Sequence, residues 1–156
     1  MATKTNCCRI LDSLEIPYTL LEYEVNEDSL DAVTVANKLN LPHEQVFKTL
    51  VLVGDSVKYF VAVIPGNEEL SLKKAALSSG NKSCSMLPLK DLHSLTGYIR
   101  GGCSPIGMKK SFPTYIEETA QLFDKISISP GQRGLQILIN PNDLLGVVGG
   151  CFSPLI

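Results

Sequence analysis

The chain has 156 residues, near the usual size of one domain, and can bury roughly 70% of its unfolded surface without a covalent or metal staple. Hydrophobic residues make up 44% and charged residues 19%, the balance of an ordinary globular protein. A net charge of −2 excludes a global basic field for nucleic acid, though not a basic patch on one face.

The start, "MATKTNCCRILDSLEI", lacks the apolar core and cleavage site of a secretory signal. Nor is any early apolar run long enough to span a bilayer, so a cytoplasmic protein is expected. Residues 3–14 read as a helix with Ile10, Leu11 and Leu14 on one face, ended by Pro17. "YTLLEY" reads as a strand. "NEDSLDAVTVANKLNL" opens on capping residues and predicts a second helix, closed by Pro42. "VFKTLVLVGDSVKYFVAVIP" is two β-branched runs around Gly54-Asp55-Ser56, a hairpin whose strands are covered on both faces. A helix is expected from about Ser71 to Gly80, a short strand over "KSCSML", and a helix after Pro88. "TYIEE", "KISIS" and "GLQILI" read as strands, the last two joined by residues 129–134. Asn140 or Asn142 would cap a terminal helix.

No linker, repeat or low-complexity segment divides the chain, so residues 1–156 are expected to form one domain. Strands with interspersed helices, lacking regular β-α-β alternation, predict an α/β (α+β) fold with a mixed sheet or barrel surrounded by helices. The five cysteines are odd in number and lack a C-x-x-C, and two histidines without paired cysteines do not make a zinc site. Free thiols are expected, with no metal and no cofactor.

The segment "TGYIRGGCSPIGMKK", residues 96–110, bends through adjacent glycines. A phosphate-binding P-loop fails, because Met108 sits where lysine is required and Lys109 where serine or threonine belongs. A nucleophilic Cys103 needs a base, and His43 and His93 lie outside any motif. A third reading is a backbone loop whose amides hold a carbonyl oxygen or oxyanion. Chemistry alone leaves that reading and a plain tight turn equally open. Lys48 lies inside an apolar strand run, either as a snorkelling edge residue or as an ammonium aimed into a pocket.

Taken together, "FKTL" at 47–50, "LSLKKAA" at 70–76, "TGYIRGGCSPIGMKK" at 96–110 and "GQRGL" at 131–135 resemble the YbaK family of trans-editing proteins. These are freestanding relatives of the editing insertion domain of bacterial prolyl-tRNA synthetase. The resemblance covers nearly the whole chain. It implies a mixed β-barrel with peripheral helices and removal of a wrongly attached amino acid from tRNA, typically cysteine from proline tRNA.

By that resemblance Lys48 matches the lysine required for activity. Gly101 and Gly102, in the loop that runs to Pro105, would supply amides to the aminoacyl group. Tyr23, Thr96, Gly97, Tyr98, Cys103, Ser104, Pro105 and Gln136 would belong to the substrate pocket. Lys73, Lys74, Lys109, Lys110 and Arg133 are candidates for tRNA backbone contact. The partner implied is the acceptor end of a mischarged tRNA, and the resemblance allows prolyl-tRNA synthetase as a second.

The mechanism it implies is substrate assistance, in which the thiol of the mischarged cysteine attacks its own carbonyl. That chemistry asks for no protein nucleophile. There are departures from the family pattern. Cys103 replaces an apolar residue, Gln132 a basic residue, and Gln136 an aspartate implicated at the pocket. A pocket phenylalanine has no clear match among Ser29, Leu30 and Asp31. These changes leave three alternatives standing: a tRNA- or synthetase-binding module with weak catalysis, an editor of another amino acid such as alanine, and a thiol enzyme centred on Cys103.

Overall fold

The computed structural model describes residues 4–156. The first helix, α1, spans Asn6–Ser13 and is capped by Thr5, whose hydroxyl accepts from the Cys8 amide. Thr3, the first residue of the predicted helix, lies outside the described residues. Strand β1 follows at Thr19–Glu22 and helix α2 at Ala32–Leu39. The cap of α2 is Asp31, deeper in the acidic run than its first capping-type residue, and Asn40 closes the helix in the left-handed conformation.

The hairpin falls where the β-branched runs place it, as β2 at Phe47–Gly54 and β3 at Tyr59–Pro65. Helix α3, Leu72–Ser79, is bounded by Ser71 and Gly80. Strand β4 is Cys84–Met86 and α4 is Leu89–Thr96. The remaining elements are β5 at Thr114–Glu117, β6 at Ile126–Ile128, β7 at Leu135–Ile139 and α5 at Pro141–Val148. A short strand, β8 at Cys151–Ser153, follows the helix expected to be terminal.

Two sheets result. The smaller is antiparallel with order β1-β7-β6. The larger is mixed, with order β4-β2-β3-β5-β8, its last two pairings parallel. A single parallel bridge, Val46 to Ser127, joins the two sheets. The mixed α+β architecture is the one the sequence predicts.

Burial follows strand parity. Phe47 and Val51 of β2 and Val61 and Val63 of β3 face the smaller sheet, where they meet Ile126, Ile128, Ile137 and Ile139. Leu52, Phe60, Ala62 and Ile64 face the other way, against Ala75 of α3 and Leu155. The larger sheet is thus covered on both sides, as its near-continuous apolar runs require. Lys48 belongs to the second face by register, opposite Ile64.

Candidate functional site

A cavity of about 400 Å³ opens where the start of β2, the start of α2, α4 and the glycine loop converge. That volume suits a small ligand or the end of a larger one. Lys48 lines it. The ammonium of Lys48 donates to the carbonyl oxygen of Gly66 at 3.3 Å and has no carboxylate within salt-bridge distance among the described residues. Gly66 is held under α2, since a side chain there would meet the Ala32 Cβ at 2.2 Å. The lysine is therefore oriented by one backbone contact, with donors to spare for an anion.

The glycine loop has two sides. Its entry is a turn in which the Gly102 amide donates to the Ile99 carbonyl at 3.0 Å, with Gly101 in third position at φ +82°. That is the pattern of a type II turn, which demands glycine there. Arg100, Gly101 and Cys103 line the cavity, whereas Gly102 does not. Among the described residues, the amides of Gly101 and Cys103 have no acceptor. The pair expected to supply donors, Gly101 and Gly102, is thus divided. Gly102 spends its amide inside the turn, and its lack of a side chain answers a different need. A Cβ there would sit 3.2 Å from the Arg133 amide nitrogen.

The other side of the loop is bracing. Thr96 donates to the Leu92 carbonyl and accepts from the Tyr98 amide at 3.0 Å. Gly97 ends α4 at φ +86°, and the Lys109 amide returns to the Thr96 carbonyl. Tyr98 donates its phenol to the Ile106 carbonyl at 2.5 Å. Ser104 is fully buried and accepts from the Ile106 amide. Pro105 lines a separate cavity of about 230 Å³ behind the loop, as does Lys110. None of Thr96, Gly97, Tyr98, Ser104 and Pro105 lines the larger cavity.

Gln136 does line it, from β7. It is 5% exposed, and its Oε1 accepts from the Ser127 hydroxyl at 2.8 Å. Tyr23, half-buried after β1, pairs its amide with Gly134 and is not part of the wall.

The candidate tRNA cations are dispersed. Lys73 and Lys74 lie on α3, away from the cavity, and the Lys74 ammonium is tied to the Ile156 carbonyl. Lys109 reaches the Ser94 carbonyl at 3.4 Å. Arg133 donates to the Arg100 carbonyl at 2.8 Å, which steadies the turn that carries the mouth cation Arg100.

Burial pushes the Cys103 thiol up to about 12, and neither histidine lines the cavity. A thiolate nucleophile has no support from either fact. The Cys7 thiol is likewise pushed up to about 12 by burial, against a smaller opposing effect of its hydrogen bond with Ser104.

Several wall residues are given no role by the sequence. Leu30 packs by the loop, its Cβ 3.3 Å from where a side chain on Gly101 would begin, in the segment that lacks a matching phenylalanine. Asp31 and Arg100 sit at the mouth, and Met86 and Leu89 form an exposed apolar rim. The only signal for Leu30 and Asp31 is the unmatched phenylalanine among Ser29, Leu30 and Asp31.

The cavity thus brings together Lys48, with no carboxylate beside it, and two loop amides without acceptors among the described residues. Residues 26–147 match the family described as the aminoacyl-tRNA editing domain, and the chain belongs to that family. The chain is 51% identical to a protein of Enterococcus faecalis over 150 residues, 96% of this chain and 92% of that one. That relative bears the provisional name Cys-tRNA(Pro)/Cys-tRNA(Cys) deacylase EbsC. A proline–tRNA ligase of Shouchella clausii is 26% identical over 115 residues, which cover 74% of this chain but 20% of the ligase. A solved structure described as a candidate trans-editing enzyme for prolyl-tRNA synthetase shares the fold, with a TM-score of 0.81 at 21% identity and 98% of both chains covered. The resemblance read from the motifs is borne out at the level of the family.

Proposed function

We propose that this protein is a trans-editing aminoacyl-tRNA deacylase that clears mischarged tRNA, foremost Cys-tRNA(Pro), and that residues 1–156 work as one editing domain. One observation carries the reading: the cavity joins Lys48, a cation with no carboxylate beside it, to uncommitted loop amides, and its wall holds no histidine to activate the Cys103 thiol or the Thr49 and Ser129 hydroxyls. The 51% identity to the enterococcal relative supports the same choice of substrate.

The acceptor end enters with its aminoacyl group in the cavity. Lys48 and Arg100 hold phosphate or ribose oxygens at the mouth, and the apolar rim of Met86 and Leu89 receives the terminal base. The amides of Gly101 and Cys103 donate to the ester carbonyl oxygen, where negative charge develops. Fixed donors of this kind are worth ~3–4 kcal/mol of barrier each.

The substrate thiol, losing its proton to solvent, attacks the carbonyl carbon. A sulfur–carbon bond forms, the carbon–oxygen bond to the ribose breaks, and the ribose oxygen leaves with a proton from water. Water then opens the thiolactone to free cysteine. Confinement of thiol and carbonyl in one cavity supplies several kcal/mol to such an intramolecular step. Prolyl-tRNA synthetase is proposed as the partner that presents the tRNA, since few free cations surround the mouth.

The test is release of S-methylcysteine beside cysteine from tRNA(Pro). Blocking the sulfur abolishes turnover if the substrate thiol is the nucleophile. Equal release of both would move the attack to bound water.

A further inference from the structure

The wall of the cavity contains a short unpaired stretch in a strand edge that is paired on either side of it. In the larger sheet, β2 lies between β3 and β4. Its pairing with β3 runs along the whole strand, from Phe47–Pro65 to Val53–Tyr59. Its pairing with β4 covers only Leu52–Gly54, extended by the Leu87 amide to the Val51 carbonyl at 2.9 Å. There the neighbouring chain leaves: Pro88 has no N–H to give, and α4 begins at Leu89. On the other side, β6 meets the chain only at the Val46–Ser127 bridge. Between these two contacts the outer edge of β2 is bare.

Parity says which groups are bare. The Val51 carbonyl points outward to Leu87, and the Gly66 amide reaches the Val46 carbonyl inward. Backbone groups alternate along a strand, so odd-numbered residues of β2 present both N–H and C=O outward. The odd residues inside the gap are Phe47, next to the Val46 bridge, and Thr49, away from both contacts. Thr49 forms a non-hydrogen-bonded pair with Val63 on the inner side, no strand pairs with it on the outer side, and it lines the cavity. An unpaired strand edge is a template for another extended chain.

An aminoacyl ester carries the same two groups as a strand residue: a nitrogen donor and a carbonyl acceptor on either side of one Cα. The cavity needs an acceptor for the α-ammonium and has few. Gln136 is neutral, with its oxygen committed to Ser127. Asp31 is the one carboxylate in the wall, and both its oxygens accept from Thr34.

We propose that the main chain of Thr49 seats the aminoacyl group as a one-residue strand. The substrate α-ammonium donates to the Thr49 carbonyl, and the Thr49 amide joins the loop amides on the substrate carbonyl oxygen. The seat is blind to the side chain and selects for an L-amino acid, because only one hand directs its side chain as a strand residue does. Discrimination among amino acids then falls to the walls. This inference rests on the deacylase reading and deepens it.

The test replaces Thr49 by its α-hydroxy acid, which exchanges the N–H for an ester oxygen and keeps the side chain. Against Cys-tRNA(Pro), kcat/KM is expected to fall ~10-fold, the loss of one hydrogen bond. On the unmodified protein, 3-mercaptopropionyl-tRNA(Pro), which lacks the α-amino group, is expected to fall roughly 100-fold, as for a bond to a charged group. The two losses together should be smaller than their product, since one residue holds both ends. An ester protein within twofold of the unmodified one on both substrates would overturn the seat.

If the ester protein does not fold, the unmodified protein decides. The non-cleavable amide 3′-cysteinylamino-3′-deoxyadenosine should shift the Thr49 amide resonance, and its desamino counterpart should shift it less. Binding with Thr49 unmoved overturns the seat. A shift at Thr49 without release of amino acid from any aminoacyl-tRNA keeps the seat and removes hydrolysis.

Discussion

Tyr98 donates its hydroxyl to the Ile106 carbonyl across the glycine loop at 2.5 Å, and its ring closes the space above Gly131, where a Cβ would lie 2.6 Å from Cε1. The tyrosine is the post around which the loop is folded. It stands behind the cavity wall, and on the proposed mechanism it would position the amides of Gly101 and Cys103.

Tyr98→Phe keeps the ring and removes that one bond. It is expected to cost about 1 kcal/mol of stability. Turnover should fall through kcat more than KM, because the loop amides act on the transition state. A melting curve and steady-state kinetics check both. A rise in KM alone would place the hydroxyl on the substrate instead.

Gly101→Ala tests the turn. The position is left-handed at φ +82°, and an added Cβ would crowd Leu30 and Arg133 at 3.3 Å. Backbone strain alone is expected to cost ~1–2 kcal/mol. Turnover should fall further than Tyr98→Phe takes it, since the amide itself is displaced. Denaturant titration and amino acid release measure the two effects separately.

Asp31 gives a pH prediction. Hydrogen bonds from the Thr34 side chain and then its amide hold the carboxyl below the usual range. A folded value below the unfolded one means that the stabilisation is present above about pH 4, the unfolded value, and is lost as pH falls through the folded value. Asp31→Ala should cost ~1 kcal/mol at pH 7 as a lost cap. The difference from the unmodified protein should shrink below pH 4. Paired urea titrations at pH 7 and pH 3 check the sign.

Cys103 should behave as an inert thiol. With its pKa pushed to about 12 by burial, alkylation by iodoacetamide is expected to climb ~10-fold per pH unit from 7 to 10 with no plateau. A plateau near neutral pH, with turnover lost in step, would restore the thiol-enzyme reading.

Much of the scaffold is legible in the sequence where local chemistry decides it. Ser71 and Gly80 bound α3, and the hairpin lies at the expected place, though Gly54 ends β2 and the connection runs over residues 55–58. Strand β8 is not legible, because three residues after Gly150 acquire meaning only by pairing with β5. Lys48 and the glycine loop stand out as unusual residues, but the loop's two sides do not. Gly101 and Gly102 are neighbours in sequence, yet one faces the cavity and the other spends its amide on Ile99. The bare edge at Thr49 is further still from view. It exists because Pro88, far along the sequence from Thr49, takes the chain away from β2.

On the proposed function, Lys48 and the cavity it lines catalyse selective release of a wrongly attached amino acid. The most direct measurement is release from preformed Cys-tRNA(Pro), Ala-tRNA(Pro) and Pro-tRNA(Pro) by the protein and by Lys48→Ala. Rapid loss of cysteine, sparing of proline, and turnover abolished in a Lys48→Ala protein that melts like the original are expected. Unchanged turnover in that variant, or equal hydrolysis of all three, would contradict that function.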